Sequence, residues 1–188
     1  MARYELRVGG FGGQGVILTG YILGKAAAVN EDRHATMNQS YGPEARGSAC
    51  SSSVVISDEP VTYPYTRGLD VLLVMNHESY RVFKPEVKET GTILVDDSLV
   101  TPDPADKRRT LGVPAARIAE SLGKRVVTNM VMLGFLAGPT DVVSGDALRE
   151  AIRAAVPTGT EDLNLKAFDA GREHGGKVTG AEPQEVSA

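Results

Sequence analysis

The run LDVLLV, residues 69–74, holds five apolar side chains in six positions and continues into Met75 and Asn76. A strand with one wet face alternates apolar and polar residues; a run without that alternation suits a strand covered on both faces. GTILVDDS, residues 91–98, repeats the pattern and ends in Asp96, Asp97 and Ser98. Two strands of this kind demand helices above and below one sheet. The 188 residues of the chain suffice for one such core and one domain.

The other segments supply those layers. YELRVGG alternates and predicts a first strand over residues 4–8. Residues 16–29 predict a helix in which Gly20, Gly24 and Ala27 recur at helical spacing. Glycine inside a helix costs roughly 1 kcal/mol relative to alanine, so these small residues imply close approach of the helix to a sheet. RHATMN reads as a short strand leading into an irregular loop, and CSSSVVIS as another strand. VTYPY is expected to pair with CSSSVVIS as the shorter arm of a hairpin, with Pro60 and Pro64 limiting the pairing. HESYRVFKPEV, GVPAARIAESLG, TNMVMLGFLAG, SGDALREAIRAAVP and TEDLNLKAFDAGREHG read as helices, the third of them very apolar. The interleaving predicts an α/β fold: a three-layer sandwich with a mixed, mainly parallel sheet, helices on both faces, and a single domain over residues 1–175. The polar stretch over residues 176–188 is expected to be a disordered tail.

A formal charge of −4 and a pI near 5.4 argue against nonspecific nucleic-acid binding and against attachment to anionic membranes. The sequence shows no secretory signal and no membrane-length apolar run, which predicts a cytoplasmic protein. Its one cysteine, Cys50, cannot supply a disulfide, a zinc site or an iron–sulfur cluster, and is expected to be a small buried residue. His34, His77 and His174 show no metal-ligand spacing. Asp96 and Asp97 are expected to cap turns or helices, and Asp106 to Arg109 to form a solvated loop.

RVGGFGGQGV places Gly10, Gly12, Gly13 and Gly15 between the first strand and the first helix. Glycines there let backbone N–H groups approach an anion at a helix N-terminus, or simply let the turn pack tightly. Gly10, Gly12 and Gly15 fit the GxGxxG dinucleotide fingerprint, but Glu31 and Asp32 precede the second strand instead of following it. No Gly-Lys-Ser/Thr follows either, so this is not a P-loop. A second constellation, NQSYGPEARGS, uses a Gly-Pro turn to position Glu44 and Arg46. Arginine suits bidentate contact with phosphate or carboxylate; the alternative is that Glu44 and Arg46 pair with each other or with another subunit.

Taken together, GGFGGQGVILTGYILGKAA, QSYGPEARGSACSSSVVIS, the Tyr-Pro pair and TNMVMLGFLAG resemble the gamma subunit of 2-oxoacid:ferredoxin oxidoreductases, from about Arg3 to Gly171. The SYGPEARG form looks most like the 2-oxoglutarate type, whereas indolepyruvate relatives tend to carry a different loop. Ser48 stands where the family usually has a second glycine. The resemblance implies oxidative decarboxylation of a 2-oxoacid, here 2-oxoglutarate to succinyl-CoA, by an assembly. Thiamine diphosphate, Mg and iron–sulfur clusters are then expected on partner alpha and beta subunits, with a ferredoxin-like delta subunit as a further partner and ferredoxin as acceptor. The gamma chain would be inactive alone, with no catalytic or metal-binding residue. It would contact coenzyme A through Gly10, Phe11, Gly12, Gly13, Gln14 and Gly15, and through Tyr41, Glu44, Arg46 and Gly47. In that picture Gly12 to Gly15 and Arg46 hold phosphates, and Gln14 and Tyr41 line the pocket. The alternatives are a pyruvate- or indolepyruvate-type subunit and a stand-alone Rossmann-type nucleotide-binding protein.

Overall fold

The computed structural model describes residues 2–41 and 49–180. Its strands are β1 (Arg3–Phe11), β2 (His34–Tyr41), β3 (Ala49–Ser57), β4 (Leu69–Val74), β5 (Val87–Asp96) and β6 (Arg109–Val113). They form one sheet in the order β2-β3-β1-β4-β5-β6. The β3 strand runs antiparallel to both β2 and β1, whereas β1, β4, β5 and β6 run parallel to one another. The helices are α1 (Val16–Lys25), α2 (His77–Phe83), α3 (Ala115–Ser121), α4 (Thr128–Ala137), α5 (Gly145–Ala155) and α6 (Glu161–Thr179); α1 runs on into a π-helical turn, Ala26–Asn30.

The apolar run in β4 divides between two cores. Val71 and Leu73 join Leu6, Val8 and Leu94 beneath α1 and the α3–α6 layer, whereas Leu72 and Val74 join Ile93 and Val95 beneath Tyr80 and Phe83 of α2. A strand between two layers has no wet face, which is why the sequence does not alternate. The two outer layers are unequal. Among the described residues one face carries five helices; the other carries α2 and irregular chain.

Part of that irregular chain is the segment expected to pair as a strand. Residues 61–65 form no strand. Both edges of β3 are already taken, by β2 and by β1, and Pro60 and Pro64 have no N–H to donate. The segment is instead pinned through side chains: Asn38 Nδ2 donates to the Pro64 carbonyl at 2.6 Å and Arg7 Nη2 to Thr66 Oγ1 at 3.1 Å. Glu5 accepts from the backbone N–H groups of Arg67 and Gly68 at 2.5 and 3.1 Å. Burial opposes its charge, yet these bonds and Arg3 hold its carboxyl below the usual carboxylate range.

Residues 106–109 depart from expectation in part. Arg108 donates to the Lys84 and Val87 carbonyls and pairs with Asp106 at 2.7 Å, tying the approach to β6 onto the end of α2 and the start of β5. The Asp106 side chain is only 5% exposed, so the Asp106–Arg108 pair is a half-buried clamp, whereas Lys107 and Arg109 are exposed as expected of a solvated loop. Hydrogen bonding from Arg108 lowers the Asp106 carboxyl to about 2.

The expected boundary at residue 175 falls inside a helix. The α6 helix continues to Thr179 and ends at Gly180 in the left-handed conformation, φ 70. Gly175 and Gly176 resemble a helix stop in sequence, but both are buried. Residues 181–188 lie outside the described residues.

Glycines set the contact between α4 and α6. A Cβ on Gly171 would run into the Val131 carbonyl and lie 2.9 Å from Phe135 N; one on Gly134 would run into the Phe168 carbonyl and lie 2.9 Å from Arg172 N. Gly138 and Gly175 meet the same way, backbone against backbone. No rotamer change relieves a clash with backbone. The helices therefore lie closer than side chains would allow, and α4 is buried from Thr128 to Leu136.

Two predictions follow from this packing. Gly171→Ala should destabilise the chain by about 3 kcal/mol, read as a lowered denaturant midpoint. Gly24→Ala is the control: its Cβ would come no nearer than 4.0 Å to any neighbour, so it should be neutral or add up to about 1 kcal/mol. Because the folded pKa of Asp106 is depressed from 3.8 to about 2, the stability its charge contributes is present above pH 3.8 and lost as pH falls toward 2. The midpoint difference between wild type and Asp106→Asn should accordingly shrink across that window.

Candidate functional site

The parallel strands β1, β4, β5 and β6 end on one edge of the sheet, and β2 ends and β3 begins on the same edge. Tyr41 pairs with Cys50, Cys50 with Gly10, and Ala49 with Phe11. Tyr41 and Ala49, the described residues on either side of 42–48, thus both stand beside the end of β1. Glu44, Arg46 and Gly47 lie outside the described residues. Tyr41 is described and exposed; its hydroxyl donates to Gln39 Oε1.

Gly13 and Gly15 adopt φ values of 99 and 75, which a side chain would strain. At Gly15 a Cβ would also collide with Asn129, whereas at Gly13 it would meet open space. Gly10 packs against Val16 and Gln14. Among the described residues α1 has no side-chain cap, and its first turn holds no acid. The N–H groups of that turn have no partner within the helix and carry the positive end of its dipole. This is the chemistry of an anion cradle.

Gln14 acts inside the loop. Its Oε1 accepts from Phe11 N at 2.6 Å and from Asn76 Nδ2 at 3.3 Å, and its Nε2 donates to the Met75 carbonyl at 3.0 Å. The amide is a clasp between the ends of β1 and β4, so the loop owes its shape to Gln14 as much as to its glycines. Asn76, at the end of β4, also caps α2 by accepting from Ser79 N at 2.7 Å.

Asp96 is fully buried and accepts from Ser98 N at 3.0 Å and Ala116 N at 3.1 Å, the capping role expected of it. Burial pushes its carboxyl above the usual range. Cys50 is buried, and burial raises its thiol. Among the described residues no group of three or more His, Cys, Asp or Glu could hold a metal ion.

Two cavities flank Gly13. One, of about 240 Å3, lies between Gly15, the start of α4 and the α5–α6 turn; the other, of about 260 Å3, lies between Gln14, Leu99 and Thr128. Val126, 71% exposed, stands between them and lines both. Lys124 lines the first and Arg125 the second. Arg125 reaches Glu120 at 3.5 Å, but both side chains are more than half exposed, and such pairs contribute little. Sequence reasoning passed over Lys124 and Arg125. The signal available was two cations immediately before an apolar helix, at the end that turns out to face the glycine loop.

The topology separates this site from a dinucleotide fold. There the strand after the first crossover helix lies parallel beside β1 and presents its acid to a ribose. Here the neighbours of β1 are β3, antiparallel, and β4, and β2 lies one strand further out.

Residues 5–174 match the family model described as pyruvate ferredoxin/flavodoxin oxidoreductase. The chain belongs to this family. It is 46% identical over 174 residues to the 2-oxoglutarate synthase subunit KorC of Methanocaldococcus jannaschii, covering 91% of this chain and 93% of that one. The gamma subunit of a keto/oxoacid ferredoxin oxidoreductase from Geobacter sulfurreducens is 39% identical, with a TM-score of 0.84 over 92% of this chain and 96% of that one. The 2-oxoglutarate:ferredoxin oxidoreductase of Magnetococcus marinus shares the fold, with a TM-score of 0.87 at 24% identity; this whole chain covers 33% of that longer one. The expected fold class and family resemblance both hold. Among the described residues no helix is long and apolar enough to cross a membrane.

The clasp gives a direct test. Gln14→Ala should lower stability by about 1–3 kcal/mol, because it strands the Phe11 N–H and the Met75 carbonyl. Tyr41→Phe, which loses one exposed bond, should shift it by under about 0.5 kcal/mol. Urea titration of both variants checks the contrast.

Proposed function

We propose that the chain is the gamma subunit of a 2-oxoglutarate:ferredoxin oxidoreductase. Partner alpha and beta subunits, with a ferredoxin-like delta subunit, carry thiamine diphosphate, Mg and the iron–sulfur clusters. The glycine loop and residues 41–47 hold coenzyme A. The observation that carries this reading is 46% identity, over nearly the full length of both chains, to 2-oxoglutarate synthase subunits. A ketoisovalerate oxidoreductase subunit of Methanothermobacter marburgensis is 36% identical and a pyruvate synthase subunit of the same organism 31%, so the 2-oxoglutarate type is favoured over those substrates.

The residues present suit coenzyme A. The uncapped first turn of α1 offers N–H donors and a positive dipole end to a phosphate. Open space at Gly13 leaves its backbone accessible, and Lys124 and Arg125 stand on either side. Coenzyme A supplies the thiol that accepts the acyl group. The role of this chain is to bind and orient it. Gly12 to Gly15 face the phosphates with backbone N–H groups, and Arg46 adds a guanidinium fork. Gln14 supports the loop through its internal bonds and lines the cavity beside it. A chain with one cysteine cannot ligate a cluster by itself, so electron transfer falls to other subunits.

The test is Arg46→Ala in the assembled complex. We expect KM for coenzyme A to rise about tenfold with KM for 2-oxoglutarate unchanged. An unchanged KM for coenzyme A would remove the phosphate role. An assay across 2-oxoacids checks the substrate: turnover of pyruvate or indolepyruvate faster than 2-oxoglutarate would overturn that assignment.

A further inference from the structure

The two outermost strands of the sheet differ in how they meet solvent. Strand β6 is five residues long, and Lys107, Arg108 and Arg109 stand together at its start. Short length and charge are common defences of an edge strand against pairing with another chain. Strand β2 has neither. It runs for eight residues, HATMNQSY, with no Pro, Lys, Arg, Asp or Glu. It pairs with β3 from His34 to Tyr41 without a register shift, so no bulge turns it away. Its outer edge pairs with nothing among the described residues. The surface on either side of it is apolar. A groove of about 310 Å3 lies between α1 and β2, walled by Tyr21, Gly24, Val29, Ala35 and Met37. On the opposite face Asn38 holds the Pro64 carbonyl at 2.6 Å, which sets the adjacent Tyr63 and Tyr65 near the strand, edge to face at 5.6 Å. Of the nine large apolar side chains exposed among the described residues, four flank β2 in this way, Tyr21, Val29, Tyr63 and Tyr65, and Tyr41 ends it.

We propose that β2 is a self-pairing edge: two copies of this chain join their β2 strands antiparallel about a two-fold axis, so that their sheets become one. The inner neighbour β3 already runs antiparallel to β2, and the pairing continues that alternation. Directly opposed residues of an antiparallel pair share a face. An axis perpendicular to the sheet at mid-strand, through Met37 or Asn38, therefore keeps the α1 layers of both copies on one side, and the two grooves meet. Charge favours a second copy over a different chain. A partner selected by charge needs a block of one sign. Here Lys25 lines the groove and Arg67 lies over the Tyr63 ring at 4.9 Å, while Asp32 and Glu59 stand at the start of β2 and just past the end of β3. A copy placed on this surface by a two-fold axis meets no block of like charge. The area also suffices. Eight residues span about 27 Å at about 3.4 Å each. With helix, sheet and the segment 61–65 stacked, the flank is about 25 Å deep. Roughly 700 Å2 per copy falls within the about 600–1,000 Å2 per partner of a stable interface. The pairing uses the side of a strand and not the glycine loop, so it is independent of the coenzyme A reading.

Analytical ultracentrifugation of the purified full chain, from about 1 to about 100 micromolar, tests the pairing. A reversible dimer is expected, with Kd on the order of micromolar. Gln39→Lys puts a charge where the second copy would desolvate it, and Tyr21→Lys removes an aromatic wall of the groove. Each should weaken the dimer at least about tenfold. Both residues are exposed and lie on different elements, so one variant keeps the test valid if the other misfolds. Val82→Lys, exposed on α2 at the other core, should change Kd by less than about twofold. A chain that stays monomeric at about 100 micromolar overturns the proposal. So does a dimer that Gln39→Lys and Tyr21→Lys leave intact, because it uses another surface. If the chain is monomeric and Gln39→Lys instead abolishes co-purification with co-expressed alpha and beta subunits, the edge belongs to a partner subunit and the second copy is excluded.

Discussion

The backbone contact between α4 and α6 fixes the helical layer. Four glycines, at 134, 138, 171 and 175, remove the side chains that would otherwise separate the two helices. With α4 locked in place, Asn129 at its start packs against Gly15, and the turn before α6 closes the other side of the same cavity. The wall of the candidate site thus depends on contacts well away from it. A buried layer held by backbone contact has little freedom to shift, which keeps the cradle at the end of β1 in a single shape.

Much of this was legible in sequence because it rests on local rules. The apolar runs at 69–74 and 92–95 gave the central strands, since a strand between two layers cannot alternate. The glycines of residues 10–15 marked a strand-to-helix turn with an open backbone. Ser144 opens α5 as an N-cap, accepting from Ala147 N at 3.3 Å. Gly20 does meet the sheet, its Cβ position lying 2.8 Å from Ser52 Cβ.

The rest was hidden because it depends on partners distant in sequence. Residues 61–65 have strand composition, but β3 had no free edge to offer them. Arg108 reads as a surface cation until its carbonyl partners at Lys84 and Val87 are known. Gly175 reads as a helix stop until α4 is laid against it. Gln14 reads only as a lining residue because it sits in a binding motif; its bonds to Phe11, Met75 and Asn76, which brace the loop, show only in the fold. Lys124 and Arg125 carry no motif, and only the fold brings them to Gly13.

The clasp at Gln14 also bears on how a ligand would be received. Three hydrogen bonds from one amide tie the loop to the end of β4 and, through Asn76, to the start of α2. A loop braced in this way is ordered before anything binds, so little conformational entropy remains to be lost on association. Affinity then reflects contacts made and water displaced, with little folding of the receptor. A glycine-rich segment, flexible by composition, is thus braced by a single side-chain amide.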